Sequence, residues 1–399
     1  MSRITVSTGG RIRQGLLTAA AIASVLTMVQ CGGGGDNGGG GTTGPPAGRI
    51  YSQFAYASNV TSGTVSMFGI DANGKLVSLG APLAAGAEPH AITVDPKNRF
   101  VYVSNHTSDF LSGYKINATT GVLTPIPGPL TVGAGAHASV FDRNGSYLYV
   151  INGPHVTPPA VGPSSITAYT VNADGTLTAI GAALPAGTHA HNLTVDPANT
   201  FVYVASMGSN ETWTYKIEAT GALTPVGSVP GTSGPGQPAA VAVHPSLGFA
   251  YVVNHAGDRV QNFTVNANGT LAPNTIQGTI GADGDQSHSI VIDTTGTFLY
   301  VGNLNTDNIS AWSINQTNGE LVPVTGDVPP LLKFNTDDQP HGLTLHPKGG
   351  FLYVANSGSD TIQRFAINST TGELTLSDTF PDPDPAVSDG PTGIAITNF

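Results

Sequence analysis

Six times in this chain a short phrase opens, in five cases on histidine, and closes fifteen positions later. Its consensus is His-x-x-x-(Val)-Asp-Pro, then Phe-x-Tyr-Val-x-Asn. It spans His90 to Asn105, His137 to Asn152, His191 to Ser206, Ala239 to Asn254, His288 to Asn303 and His341 to Asn356. Successive starts lie 47, 54, 48, 49, 53 and 51 residues apart, the last step ending at Thr392. A fixed core with variable spacers marks a repeat architecture, and a period of ~40–50 residues is that of a β-propeller blade.

One repeat reads as four strands. PHAITVDP and RFVYVSNH are two β-rich runs joined by a Pro-Lys-Asn turn, FLSGYKINA is a third, and VLTPIPG is an outer fourth strand where proline costs no ladder donor. The chain opens its repeats at YSQFAYASN, a second strand with no first, and ends at PTGIAITNF, a first strand with no second. Pairing segment 391–397 beside 53–59 completes a seventh blade and protects the sheet edges. The expected fold is therefore all-β, a seven-bladed propeller of four-stranded antiparallel blades over residues 50–399, closed by its two ends. Glycine (52) and proline (29) are abundant and charged residues are only 10%, which suits many short strands and turns.

Residues 1–31 have the form of an export signal. Arg3, Arg11 and Arg13 precede the apolar run Leu16 to Val29, which is too short to read as a span and stops at Cys31, the single cysteine. Residues 32–49 are a Gly-rich tether. Cysteine at the end of such a run resembles a bacterial lipoprotein signal, with Cys31 as the lipidated residue, although Gln30 stands where a small residue is usual. The expectation is an exported, lipid-anchored monomer in the periplasm or on the outer cell surface, touching membrane only through its anchor. Without residues 1–31, 25 acids face 11 Lys and Arg, a net charge of −14. That sign speaks against a nucleic-acid partner.

The phrases VDPKNRFVYVSN, VDPANTFVYVAS and LHPKGGFLYVANSGSDTIQRFAINSTTGELT resemble the lactonase family of seven-bladed propellers, which includes one type of 6-phosphogluconolactonase and the propeller-type carboxymuconate cyclase; they also resemble YVTN-type surface repeats. The resemblance covers about residues 50–399. It implies a lactone (carboxylic ester) hydrolase whose active members carry Arg-His at one inner strand, a glutamate after that blade's asparagine and an arginine in the next blade. The matching positions here are Ala239, Ala240, His255 and Leu304, so the family's charged set is missing. The domain's few arginines, Arg49, Arg99, Arg143, Arg259 and Arg364, all lie away from the repeat starts.

If the seven repeat starts converge on one mouth of the central channel, they gather His90, His137, His191, His288 and His341 with Ala239 and Thr392. Neutral imidazoles there would grip hydroxyls or a carboxylate, and one near a carboxylate would serve as a base on water. His191 and His341 are the catalytic candidates. His90, His137, His288, His255, Gln286 and Gln339 are the ligand-binding candidates. The competing reading is that each histidine hydrogen-bonds the neighbouring blade and serves the repeat. No metal and no cofactor is expected, because ring positions do not by themselves bring imidazoles within ~2.1 Å of one ion. The function expected is hydrolysis or binding of a small lactone, sugar acid or glycan at the histidine mouth. The alternative is a non-catalytic surface scaffold for protein or glycan, using the insertion at Pro154, His155, Pro158 and Pro159.

Overall fold

The computed structural model describes residues 51–153, 162–231, 236–279, 286–324, 333–381 and 390–398. Cys31, the tether and the Pro154–Pro159 insertion lie outside the described residues. Among the described residues there is no helix, only short antiparallel strands arranged in seven sheets.

The blade beginning at His90 shows the pattern: Pro89–Val94, Phe100–Asn105, Phe110–Ile116 and Leu123–Pro125 pair in chain order. Five more sheets repeat it. The seventh joins Pro391–Ile396 to Gln53–Asn59, which then pairs with Thr64–Ile70 and Leu76–Ser78. Its register runs from Ala55 opposite Ile396 to Asn59 opposite Pro391. Thr397 fastens the closure, since its Oγ1 accepts from Phe54 N–H at 2.7 Å. The ring expected from the sequence is thus closed, with six continuous blades and one composite.

Burial explains why the second strands carry the strongest signature. Phe100–Asn105, Phe201–Ser206 and Phe298–Asn303 are buried at every residue, so both faces must be apolar. Among the described residues the hydrophobic core divides into seven clusters, each drawn mainly from two adjacent blades. Cohesion therefore lies between blades, as expected where each repeat packs against its neighbours.

A repeated polar joint accompanies that packing. The tyrosine of each second strand reaches a glycine carbonyl in the outer turn of the next blade: Tyr56 to Gly121 (2.8 Å), Tyr102 to Gly175 (2.7 Å), Tyr203 to Gly269 (3.1 Å), Tyr251 to Gly319 (2.8 Å), Tyr300 to Gly372 (3.0 Å) and, across the closure, Tyr353 to Gly74 (2.6 Å). Only Tyr149 breaks the series, its buried hydroxyl lacking a partner. These turns need glycine. Gly372 has φ +77°, and a Cβ there would meet the Phe298 ring at 2.3 Å.

Candidate functional site

Each blade's first strand begins at one face of the ring with a two-part device. First comes a residue in the left-handed region: Glu88 (φ 51°), Gly135 (65°), His189 (49°), Gln237 (49°), Gln286 (49°), Gln339 (58°) and Gly390 (58°). Five of the seven are not glycine and so carry the cost of that conformation, of order 1–2 kcal/mol each. The carbonyl of each is held by the N–H after the second strand, as in His106 to Glu88 (2.9 Å), His255 to Gln237 (2.9 Å) and Leu304 to Gln286 (3.1 Å). In the later blades the N–H of the same residue is held by the preceding blade's hairpin: Gln286 by Asp258 Oδ1 (3.0 Å) and Gln339 by Asp307 Oδ1 (2.8 Å).

Two residues on comes a bulge. In the second blade Pro89 faces Asn105 and Ala91 faces Ser104, which leaves His90 outside the register. The same step skips His137, His191, Ala239, His288, His341 and Thr392. A bulge re-aims the side chain it carries, and here the five histidines are re-aimed to one place.

The five imidazoles close a ring of their own. Centroids are 4.7 Å apart for His90–His137, 4.7 Å for His137–His191, 4.6 Å for His191–His288, 4.1 Å for His288–His341 and 4.8 Å for His341–His90. His106 leans on it, 4.4 Å from His137 and 5.1 Å from His90, and His255 stands 6.1 Å from His288. Below the imidazoles is a cavity of about 180 Å³ lined by His90, His191, His288 and His341 with Asn192 and Ser289. Two residues before their hub positions, Glu88, His189, Gln237 and Gln339 are exposed and Gln286 is half-buried.

Hydrogen bonding fixes the state of three rings. Nδ1–H donates to a backbone carbonyl of the next blade from His191 (Ala239, 2.9 Å), His288 (His341, 3.2 Å) and His341 (Thr392, 3.0 Å). A carbonyl can only accept, so Nδ1 bears the proton and Nε2 keeps its lone pair. Burial first, then repulsion from neighbouring imidazoles, pushes every hub histidine below its ordinary pKa: His90, His137, His191 and His288 well below, and His341 to about 4. The hub is therefore uncharged at neutral pH, an array of acceptors and donors and not an anion trap.

The joint reading and the ligand reading are thus compatible, one nitrogen serving each. The joint is not universal, since buried His137 Nδ1 has no partner. The carboxylate neighbour imagined for a general base does not appear at Nδ1 of His191 or His341, where backbone carbonyls stand. The asparagine that ends most second strands proves to be a hairpin tie: Asn105 Nδ2 donates to Phe110 O and Ser112 Oγ, both at 3.0 Å. Ala239 and Ala240 are buried. Arg99 and Arg143 donate to carbonyls of the following blade, at Gly145 and at Val195, far along the chain from the hub strand starts. Sequence reading missed Ser289, whose buried hydroxyl has no partner and which lines the cavity; its only signal is that it follows a hub histidine.

Comparison with known proteins agrees with this architecture. The family model for the seven-bladed β-propeller lactonases matches residues 41–140, 139–236 and 164–387. The 6-phosphogluconolactonase of Bacillus subtilis (strain 168) is 25% identical over 320 residues, 79% of this chain and 76% of that one. That of Yersinia pestis (strain Pestoides F) is 26% identical over 216 residues, 52% of this chain and 60% of its own. Among solved structures, a candidate 6-phosphogluconolactonase from Bacteroides uniformis ATCC 8492 superposes with TM-score 0.73 at 19% identity, covering 87% of this chain and all of that one. The periplasmic gluconolactonase of Pseudomonas aeruginosa gives 0.71 at 18%, covering 88% and 99%.

Proposed function

The chain belongs to the lactonase family of seven-bladed β-propellers, and from that premise we propose that it opens a small unphosphorylated lactone at the imidazole hub. The observation that carries this is the closed ring of five neutral imidazoles over a cavity of about 180 Å³. Relatives are named for 6-phosphogluconolactone and for gluconolactone. The second substrate type suits this chain better. A phosphate needs arginine or lysine, and the family's charged positions are occupied by Ala239, Ala240, His255 and Leu304. The export signal at residues 1–31 agrees, since it would carry the domain, anchored at Cys31, away from phosphorylated cytoplasmic metabolites.

In this reading Nε2 of His191 or His341 accepts a proton from water as the water oxygen adds to the lactone carbonyl. The carbon–oxygen ring bond then breaks and the imidazolium returns the proton to the departing alkoxide, giving the hydroxy acid. The backbone carbonyl at Nδ1 keeps the acting tautomer and steadies the transient charge. Ser289, a residue of the cavity lining, would turn its hydroxyl to the developing oxyanion in this reading. His90, His137, His288, His255, Gln286 and Gln339 supply contacts to hydroxyls. A panel of aldonolactones with and without phosphate tests this. Turnover of the unphosphorylated set should fall by ~10²–10⁴-fold in His191→Ala and His341→Ala; turnover unchanged in both variants removes the hub as the site.

The missing charged residues also favour a second reading, a non-catalytic surface scaffold for protein or glycan. It requires absence of turnover on the whole panel, together with a partner whose capture is lost when residues 153–165 are shortened.

A further inference from the structure

One ring nitrogen from each of His90, His137 and His191 lies within 4.8 Å of the other two. Two nitrogens bound at ~2.1 Å to a common ion stand ~3.0–4.2 Å apart, depending on geometry. Small rotations of three side chains bridge that difference, and the bulges that carry them leave the rings outside the sheet ladder. We propose that these three histidines form a binding site for a divalent transition-metal ion, with a coordination position left open toward the channel.

Three further features support it. His191 already has the arrangement of a metal ligand, with Nδ1–H tied to the Ala239 carbonyl and Nε2 left with its lone pair. His137 is only 5% exposed, yet its Nδ1 has no hydrogen-bond partner, an unusual vacancy for a buried imidazole. Burial keeps the rings neutral, the form in which imidazole ligates. The donor set is all nitrogen, which selects Cu²⁺, Zn²⁺, Ni²⁺ or Co²⁺ over Mg²⁺ and Ca²⁺. Three imidazoles with one open position is also an arrangement in which a bound ion can present water or a ligand oxygen.

The inference concerns the same hub as the lactonase reading but stands without it, because its test needs no substrate. The full-length chain, purified without a histidine tag and stripped with chelator, is titrated with Zn²⁺, Cu²⁺, Co²⁺ and Ni²⁺ by calorimetry, with metal analysis after dialysis and Mg²⁺ and Ca²⁺ as controls. One ion per chain is expected from the first group and none from the second. His90→Ala and His137→Ala should each weaken binding by more than the ~10–100-fold typical of outer-shell changes. His346→Gln, altering a ring packed on Phe351 and Tyr353 in the same fold, should retain the ion. His90 is half-buried and has the lesser structural burden of the two hub residues, so native circular dichroism of His90→Ala keeps the test decisive if His137→Ala does not fold. No stoichiometric binding of any of the four ions overturns the proposal, as does full retention in folded His90→Ala. Binding without turnover would overturn the lactonase reading alone.

Discussion

Replacing the second-strand tyrosines one at a time by phenylalanine separates hydrogen bonding from packing at the blade joints. The seven rings are equivalent in place and all fully buried, so the loss of apolar contact is close to nil in each case. Six hydroxyls donate to a glycine carbonyl of the next blade. Removing one loses a net bond of about 1 kcal/mol and leaves a buried carbonyl unpaired, which raises the cost to about 1–3 kcal/mol. Tyr251 is special, because Gly319 O also accepts from Asn262 Nδ2 at 2.7 Å; Tyr251→Phe should sit near the low end, about 0.5–1 kcal/mol. Tyr149 has nothing to lose, and Tyr149→Phe should be neutral or slightly stabilising, since it removes an unsatisfied buried hydroxyl. The assay is the urea midpoint of each variant at unchanged slope. A Tyr149→Phe penalty equal to that of Tyr56→Phe or Tyr353→Phe would refute the reasoning and assign the joint to ring packing alone.

Acid should weaken the fold through the hub. The folded imidazoles bind fewer protons than the unfolded chain, so stability present above the unfolded pKa near 6.5 is lost as pH falls toward the folded values. For His341, held at about 4 and wetted from the channel, the loss between pH 7.5 and pH 5 is at most about 2 kcal/mol; His341→Gln should flatten that slope in melts at the two pH values, and an unaltered slope would count against a buried neutral ring. Gly372→Ala should cost more than about 1 kcal/mol, because alanine meets both the positive φ and the Phe298 ring; a melting temperature equal to that of the parent would contradict the close approach. Deleting residues 390–399 should abolish the cooperative transition seen by calorimetry, since it unpairs one edge of the strand Gln53–Asn59 from Ala55 to Asn59.

The ring of blades was legible in the sequence because every blade solves the same packing problem. Phe-x-Tyr-Val-x-Asn recurs wherever a strand is buried on both faces, and the truncated phrases at the two ends left one pairing that completes a sheet. Convergence of His90, His137, His191, His288 and His341 was legible for the same reason, as equal positions in a closed ring meet at its axis. The means were not. Gln286 and Gln339 read in sequence only as side chains, and the left-handed turn their backbone makes, shared with Glu88, His189 and Gln237, is announced by no polar side chain. That His191, His288 and His341 bond to carbonyls and not to carboxylates depends on how adjacent blades abut, a relation between segments about fifty residues apart.

The bulge has a consequence for how such a molecule can diversify. Because the residue at each strand start stands outside the ladder, its identity is decoupled from the sheet that presents it; alanine at 239 and threonine at 392 already occupy the same socket as the histidines. The ladder is therefore indifferent to which side chain stands there, while His191, His288, His341 and Thr392 also tie one blade to the next through their side chains. A combinatorial library confined to positions 90, 137 and 239 would sample new hub chemistries with those four ties intact.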